Sequence, residues 1–150
     1  MRIGSYAIMR ISENGIELIK RFEGLKLNSY KCPAGVWTIG YGHTGKDVTA
    51  GLKINADTAE KLLDKDIESI CYPALSQVKV PLTQNQFDAL CSLIFNIGQN
   101  NFLSSTMLKL LNAGKYRQAS QQFGRWVFSN HVKLSGLVKR REAECLLFNS

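Results

Sequence analysis

The sequence predicts a helix-dominated α+β domain with two lobes, and three observations predict it. Apolar residues recur at helical spacing through most of the 150 residues. One stretch, 35–43 (GVWTIGYGH), instead mixes β-branched and aromatic residues with glycines and lacks that spacing. No internal repeat, low-complexity tract or proline-rich linker divides the chain, and 45% hydrophobic content suffices for one core of ordinary size.

Taken in order, Ser12 is placed to cap a first helix over 13–22, whose Ile16, Ile19 and Phe22 form one stripe and which Gly24 stops. Glu23 follows Ile19 by four residues and Ile16 by seven, so its carboxyl is expected on the buried stripe. Residues 35–43 read as short hairpin strands, with glycines at bulges or close backbone approaches, inside a turn-rich stretch from about Lys31 to Asn55. Asn55 or Asp57 opens a helix over 56–70 that stops near Pro73. Thr83 and Gln86 form a capping box for an apolar helix over 86–97, closed by Gly98. Shorter helices follow at 106–112 and 116–123, with Ala113-Gly114 between them. Ser135 caps a last helix over 136–148 with Leu137, Arg141, Glu144 and Phe148 on one face. Residues 1–8 are expected as a frayed arm, with Met9 an alternative start, ahead of a single domain over 9–150.

Nineteen Lys and Arg against twelve Asp and Glu give +7, which draws the chain toward polyanions such as cell wall, lipid headgroups or nucleic acid. No arginine-aromatic module or glycine-rich phosphate loop accompanies the charge, so nucleic acid is not an expected partner. Cys32, Cys71, Cys91 and Cys145 form no CxxC pair and are too sparse for a disulfide scaffold, which fits folding in a reducing cytoplasm. Cys71, Cys91 and Cys145 sit in apolar helical stretches and are expected in the core. The N-terminal residues show no signal-peptide pattern, and no apolar run is long enough for a stable membrane span. No cluster has metal-ligand spacing, so neither metal nor other cofactor is expected.

Cleaving a glycosidic bond needs a protonated acid for the leaving oxygen and a second group across the sugar to handle water. Glu23 at a helix end, Cys32 in the following loop and Thr38 on the first strand come from different elements, as that chemistry requires. Burial would favour the protonated form of Glu23. A helix-terminal carboxylate paired with a basic residue is an equal reading of the first helix alone.

Glu23-Gly24-Leu25-Lys26-Leu27, Tyr30, Cys32, Gly35 and Thr38-Ile39-Gly40-Tyr41-Gly42-His43 closely resemble the phage-type lysozymes, or endolysins, of glycoside hydrolase family 24. The family pattern is Glu, eight residues, Asp or Cys, five residues, Thr, and Glu23, Cys32 and Thr38 reproduce both gaps. Ala59-Glu60-Lys61-Leu62 with Asp66, Phe95-Asn96-Ile97-Gly98 and Gly136-Leu137-Val138-Lys139-Arg140-Arg141 extend the resemblance over nearly the whole chain. It implies a cleft between a small β-hairpin lobe and a helical lobe, and hydrolysis of the β-1,4 bond between N-acetylmuramic acid and N-acetylglucosamine. In that reading Glu23 is the general acid, Thr38 holds the attacking water, and Tyr41, Phe95 and Asn96 line the cleft; Phe95 as plain core filling is the competing reading. Arg141 would face Glu23 from the last helix, where a cation opposes the effect of burial, while Arg140 or Lys139 would face solvent. His43 would pair with Asp66 and tie the β lobe to the next helix; His131 has no assigned partner.

Cys32 stands where other family members carry aspartate. It can serve as a thiolate base for water, giving inversion, which is the favoured reading, as a nucleophile, as a polar support for water, or as an inert thiol. The resemblance further implies peptidoglycan as substrate, host-cell lysis as purpose, and a monomer made in the host cytoplasm. A membrane pore-former of the holin type would release it to the periplasm and cell wall. Two other classes compete: a cysteine peptidase or amidase using Cys32 and His43, and a non-enzymatic cationic protein disrupting wall or membrane through its last helix.

Overall fold

A computed structural model describes residues 9–150, so the expected arm at 1–8 lies outside the described residues. Helix α1 (Glu13–Glu23) leads into a three-stranded antiparallel sheet of β1 (Lys26–Lys31), β2 (Trp37–Gly40) and β3 (His43–Thr44), in the order β1-β2-β3. Strand β1 was absent from the sequence reading. It is exposed along most of its length and lacks the alternation of a half-buried strand, so it forms by pairing with β2 and with the 52–54 segment.

Ser12 occupies the N-cap of α1, but its hydroxyl is not the cap that the sequence suggested. It bonds the buried Asp88 carboxylate, which also accepts from the Ser12 N–H at 2.9 Å. Helix α2 (Ala56–Asp66), capped by Asn55, carries on through a π-helical turn (Ile67–Cys71) into α3 (Tyr72–Leu75), past the expected stop near Pro73. Pro73 sits in the first turn of α3, where its missing N–H costs no intrahelical bond.

Helix α4 (Gln84–Ile97), with the expected Thr83–Gln86 capping box and Gly98 stop, is the axis of the molecule. Every residue from Phe87 to Ile94 is buried, so the helix is enclosed all round rather than on one stripe, with Asp88 and Ser92 the polar residues of that run. Helices α1 and α8 (Ser135–Phe148) flank it. Between them run α5 (Gln99–Leu103), α6 (Thr106–Asn112), α7 (Tyr116–Ser120) and a 3₁₀ turn (Gln121–Arg125). A hairpin of β4 (Phe128–Ser129) and β5 (Val132–Lys133) then turns on Asn130 and His131, both at positive φ, as a type I′ turn requires. Helix α5 and this hairpin were also unforeseen, since neither carries an apolar period of its own. Leu134, not Ser135, is the N-cap of α8. Cys71 and Cys91 are buried as expected, whereas Cys145 is only half-buried.

Candidate active site

The apolar stripe of α1 buries Ile19 completely and carries Glu23 to the last helical position, where its side chain is 18% exposed. Its carboxylate lies directly over Gly42, in the turn between β2 and β3: a Cβ built there would meet Glu23 Cδ at 3.1 Å and collide with Oε1. Gly42 also holds φ +75°, so both space and backbone require glycine. The Gly-Tyr-Gly sequence of the second lobe therefore seats the acid of the first.

On its inner side Glu23 Oε2 accepts from Arg140 Nη1 at 2.7 Å. The resemblance put Arg141 in this place and left Arg140 or Lys139 to solvent; the structure instead gives the place to Arg140 and buries Arg141 as well. A one-residue step along a helix turns a side chain by about 100°, and it sends Arg141 toward α8's own Glu144 and the Trp126 carbonyl. Arg140 is 4% exposed, Arg141 2% and Glu144 0%. Glu144 Oε2 accepts from Ser92 Oγ at 2.5 Å, Arg141 Nη2 at 3.1 Å and Arg140 Nε at 3.2 Å, while Arg140 Nη2 donates to the Ser92 carbonyl at 3.2 Å. Two carboxylates and two guanidiniums thus balance in charge. Burial pushes the Glu144 carboxyl up, against the pull of Arg141 and Arg140, and pushes Arg141 down, against the pull of Glu144. Glu144 and Ser92 had been assigned no part in the site. The signals were present: Arg140 and Glu144 are spaced i, i+4, and Ser92 is a lone hydroxyl inside an apolar helix.

Cys32 closes the tight turn between β1 and β2, its N–H donating to the Val36 carbonyl at 2.9 Å. Backbone N–H groups of Val36 and Ala34 hold its thiol below the ordinary cysteine range, burial opposes them weakly, and the Thr38 hydroxyl assists. That hydroxyl has one proton and two acceptors, since it also donates to the Val36 carbonyl at 3.0 Å. Thr38 is buried and pairs across the sheet with Tyr30, so the two side chains share a face. Burial, then the charges of Glu23 and Cys32, raise the Tyr30 hydroxyl.

His43 pairs with Asp66 as expected, Nδ1 to Oδ2 at 2.8 Å, and its Nε2 meets Asp47 Oδ2 at 2.9 Å, a partner the sequence reading missed. Burial disfavours the imidazolium, but hydrogen bonds to the two carboxylates outweigh it and raise His43. Lys20 bonds Glu60 and stands 5.4 Å above the half-buried Tyr41 ring, joining α1, the hairpin turn and α2. Phe95 is half-buried against the core and Asn96 exposed; both line a depression of about 460 Å³ with Ile70 and Gly98 at the end of α4. Among the described residues no group of His, Cys, Asp and Glu could hold a metal ion.

A helical lobe, a small β lobe and a carboxylate seated where they meet define a lysozyme-like glycoside hydrolase. The profile of the family described as Phage lysozyme matches residues 20–144, and the chain belongs to that family. It is 51% identical over 146 residues to an endolysin of Acyrthosiphon pisum secondary endosymbiont phage 1, covering 95% of this chain and 99% of that relative. Among solved structures, a P22 lysozyme mutant superposes with a TM-score of 0.83 at 43% identity, over 95% of this chain and 100% of its own. The muramidase domain of SpmX from Asticaccaulis excentricus superposes with a TM-score of 0.85 at 39% identity, over 95% and 99%.

Proposed function

We propose that this chain hydrolyses the β-1,4 bond between N-acetylmuramic acid and N-acetylglucosamine in bacterial peptidoglycan, with Glu23 as the acid. The observation that carries the reading is the seat of Glu23, fixed by buried Arg140 on one side and resting on Gly42 of the hairpin that also bears Thr38. Likeness to a lysozyme and to a muramidase domain supports the substrate. Glu23 gives its proton to the glycosidic oxygen as the C–O bond breaks, and Arg140 stabilises the carboxylate that remains. Water held by the Thr38 hydroxyl attacks the anomeric carbon, and the Cys32 thiolate takes its proton, giving inversion. Solvent then returns a proton to Glu23 and removes one from Cys32. Tyr41, Phe95 and Asn96 contact the glycan, and the His43–Asp66 pair keeps the β lobe in register with α2.

The peptidase reading of Cys32 with His43 is disfavoured because both imidazole nitrogens are already engaged, by Asp66 and Asp47. The protein acts as a monomer, made in the host cytoplasm and released to the wall by a separate holin-like membrane pore-former. No described helix is long and apolar enough to cross a membrane. Mass spectrometry of digested sacculi tests the reaction: new reducing muramic acid ends are expected. Anhydro-muramic ends would mean transglycosylation instead, and free amines an amidase.

A further inference from the structure

The formal charge of +7 is not spread evenly. Over residues 1–68, ten Lys and Arg meet nine Asp and Glu; over residues 69–150, nine Lys and Arg meet three carboxylates, of which Asp88 and Glu144 are fully buried and only Glu142 is exposed. Arg140 and Arg141 belong to the buried cluster around Glu144. The other seven cations of this stretch are exposed, and among the described residues none of them forms an ion pair. Several sit around α6 and α7. Lys109 is on α6, Lys115 and Arg117 open α7 against it, Arg125 reaches Thr106 Oγ1 at 3.5 Å, and the Lys79 N–H donates to Asn112 Oδ1 at 2.6 Å.

A second observation is independent of charge. The β4–β5 hairpin, between Arg125 and Lys139, holds Phe128 and Val132 at 58% exposure each, with Leu134 beside them at 42%. Phe128 lies directly across from Lys133, so an apolar ring and an ammonium share one face of the hairpin. Cations alone would suit any polyanion, but large apolar side chains held out among them suit a surface with both phosphate headgroups and an acyl boundary.

We propose that this end of the molecule docks on the surface of an anionic phospholipid bilayer, the cations meeting headgroup phosphates while the β4–β5 hairpin enters the interface edge-on, Phe128 from one of its faces and Val132 and Leu134 from the other. The proposal is independent of the hydrolytic reading of Glu23, because its readout is binding. The test is flotation of the full chain with vesicles of phosphatidylcholine alone or mixed with phosphatidylglycerol, at low and high salt. Binding is expected only to the mixed vesicles and is weakened by salt. The pair Arg125→Glu with Lys133→Glu, and separately Phe128→Ser with Val132→Ser, should each weaken it by about tenfold or more. Both pairs are at the surface, so circular dichroism and turnover on soluble glycan oligomers should match the parent chain. Equal binding to neutral vesicles, or no effect of either pair, overturns the proposal. So does a loss of glycan turnover in the hairpin variants with vesicle binding intact, which would assign the hairpin to the glycan instead.

Discussion

Glu23 stands between two regions of opposite character. On its inner side Arg140, Glu144, Arg141 and Ser92 form a buried, charge-balanced cluster; the β lobe instead carries Cys32 in the tight β1–β2 turn, with a lowered and half-buried thiol, and Thr38 on β2 behind it. The inner side holds the carboxylate still, and the β lobe supplies the thiol and the hydroxyl. Position and reactivity are therefore supplied by different parts of the chain, and damage to each should look different.

Glu144→Ala should have the largest effect on stability. It leaves the buried Arg141 without a carboxylate and takes one of two from Arg140, and is expected to cost about 4 kcal/mol, read by denaturant unfolding. If the loss is under about 1 kcal/mol, the inner cluster is not what fixes the site. Next comes Gly42→Ala, which adds a methyl against the Glu23 carboxyl to the strain of positive φ. We expect about 2–3 kcal/mol and a turnover loss beyond what unfolding explains, whereas Gly114→Ala, also at positive φ but with nothing near its Cβ and placed between α6 and α7, should cost only about 1–2 kcal/mol and leave turnover intact.

Smaller still is the tie between the lobes. His43 has a raised folded pKa, so its stabilisation is fully present below about pH 6.5, the unfolded value, and is lost as pH rises through the folded value. Asp66→Asn should cost about 1.5 kcal/mol at pH 6 and flatten the fall in melting temperature on going to pH 8. An unchanged pH slope in that variant would remove the pair from the account. The β lobe should give a chemical signature with almost no stability change: iodoacetamide should label Cys32 first, since burial raises Cys91 and Cys145 and encloses Cys71. Peptide mass spectrometry showing Cys145 labelled as fast as Cys32 would contradict the lowered thiol.

The helices with strong apolar periods were legible in the sequence, and so was Glu23, because an acid on an apolar stripe breaks the pattern it sits in. The 35–43 hairpin was legible for its glycines. Strand β1 and the β4–β5 hairpin were not, since their residues are exposed and held by pairing rather than by burial. The exchange of Arg140 for Arg141 shows a sharper limit. Adjacent arginines on a helix are equivalent in composition, and which one turns to Glu23 is decided by where α8 packs on α4. Asp47 was passed over because its contact to His43 depends on the path of a loop rather than on any period.

The central claim is tested most directly by Glu23→Gln, measured for turnover on purified sacculi and for thermal unfolding in the same buffer. The amide keeps the shape of the side chain but donates no acidic proton, so turnover should fall about a thousandfold while the protein stays folded at the assay temperature. Wall solubilisation at the parent rate by a folded Glu23→Gln protein would contradict the account.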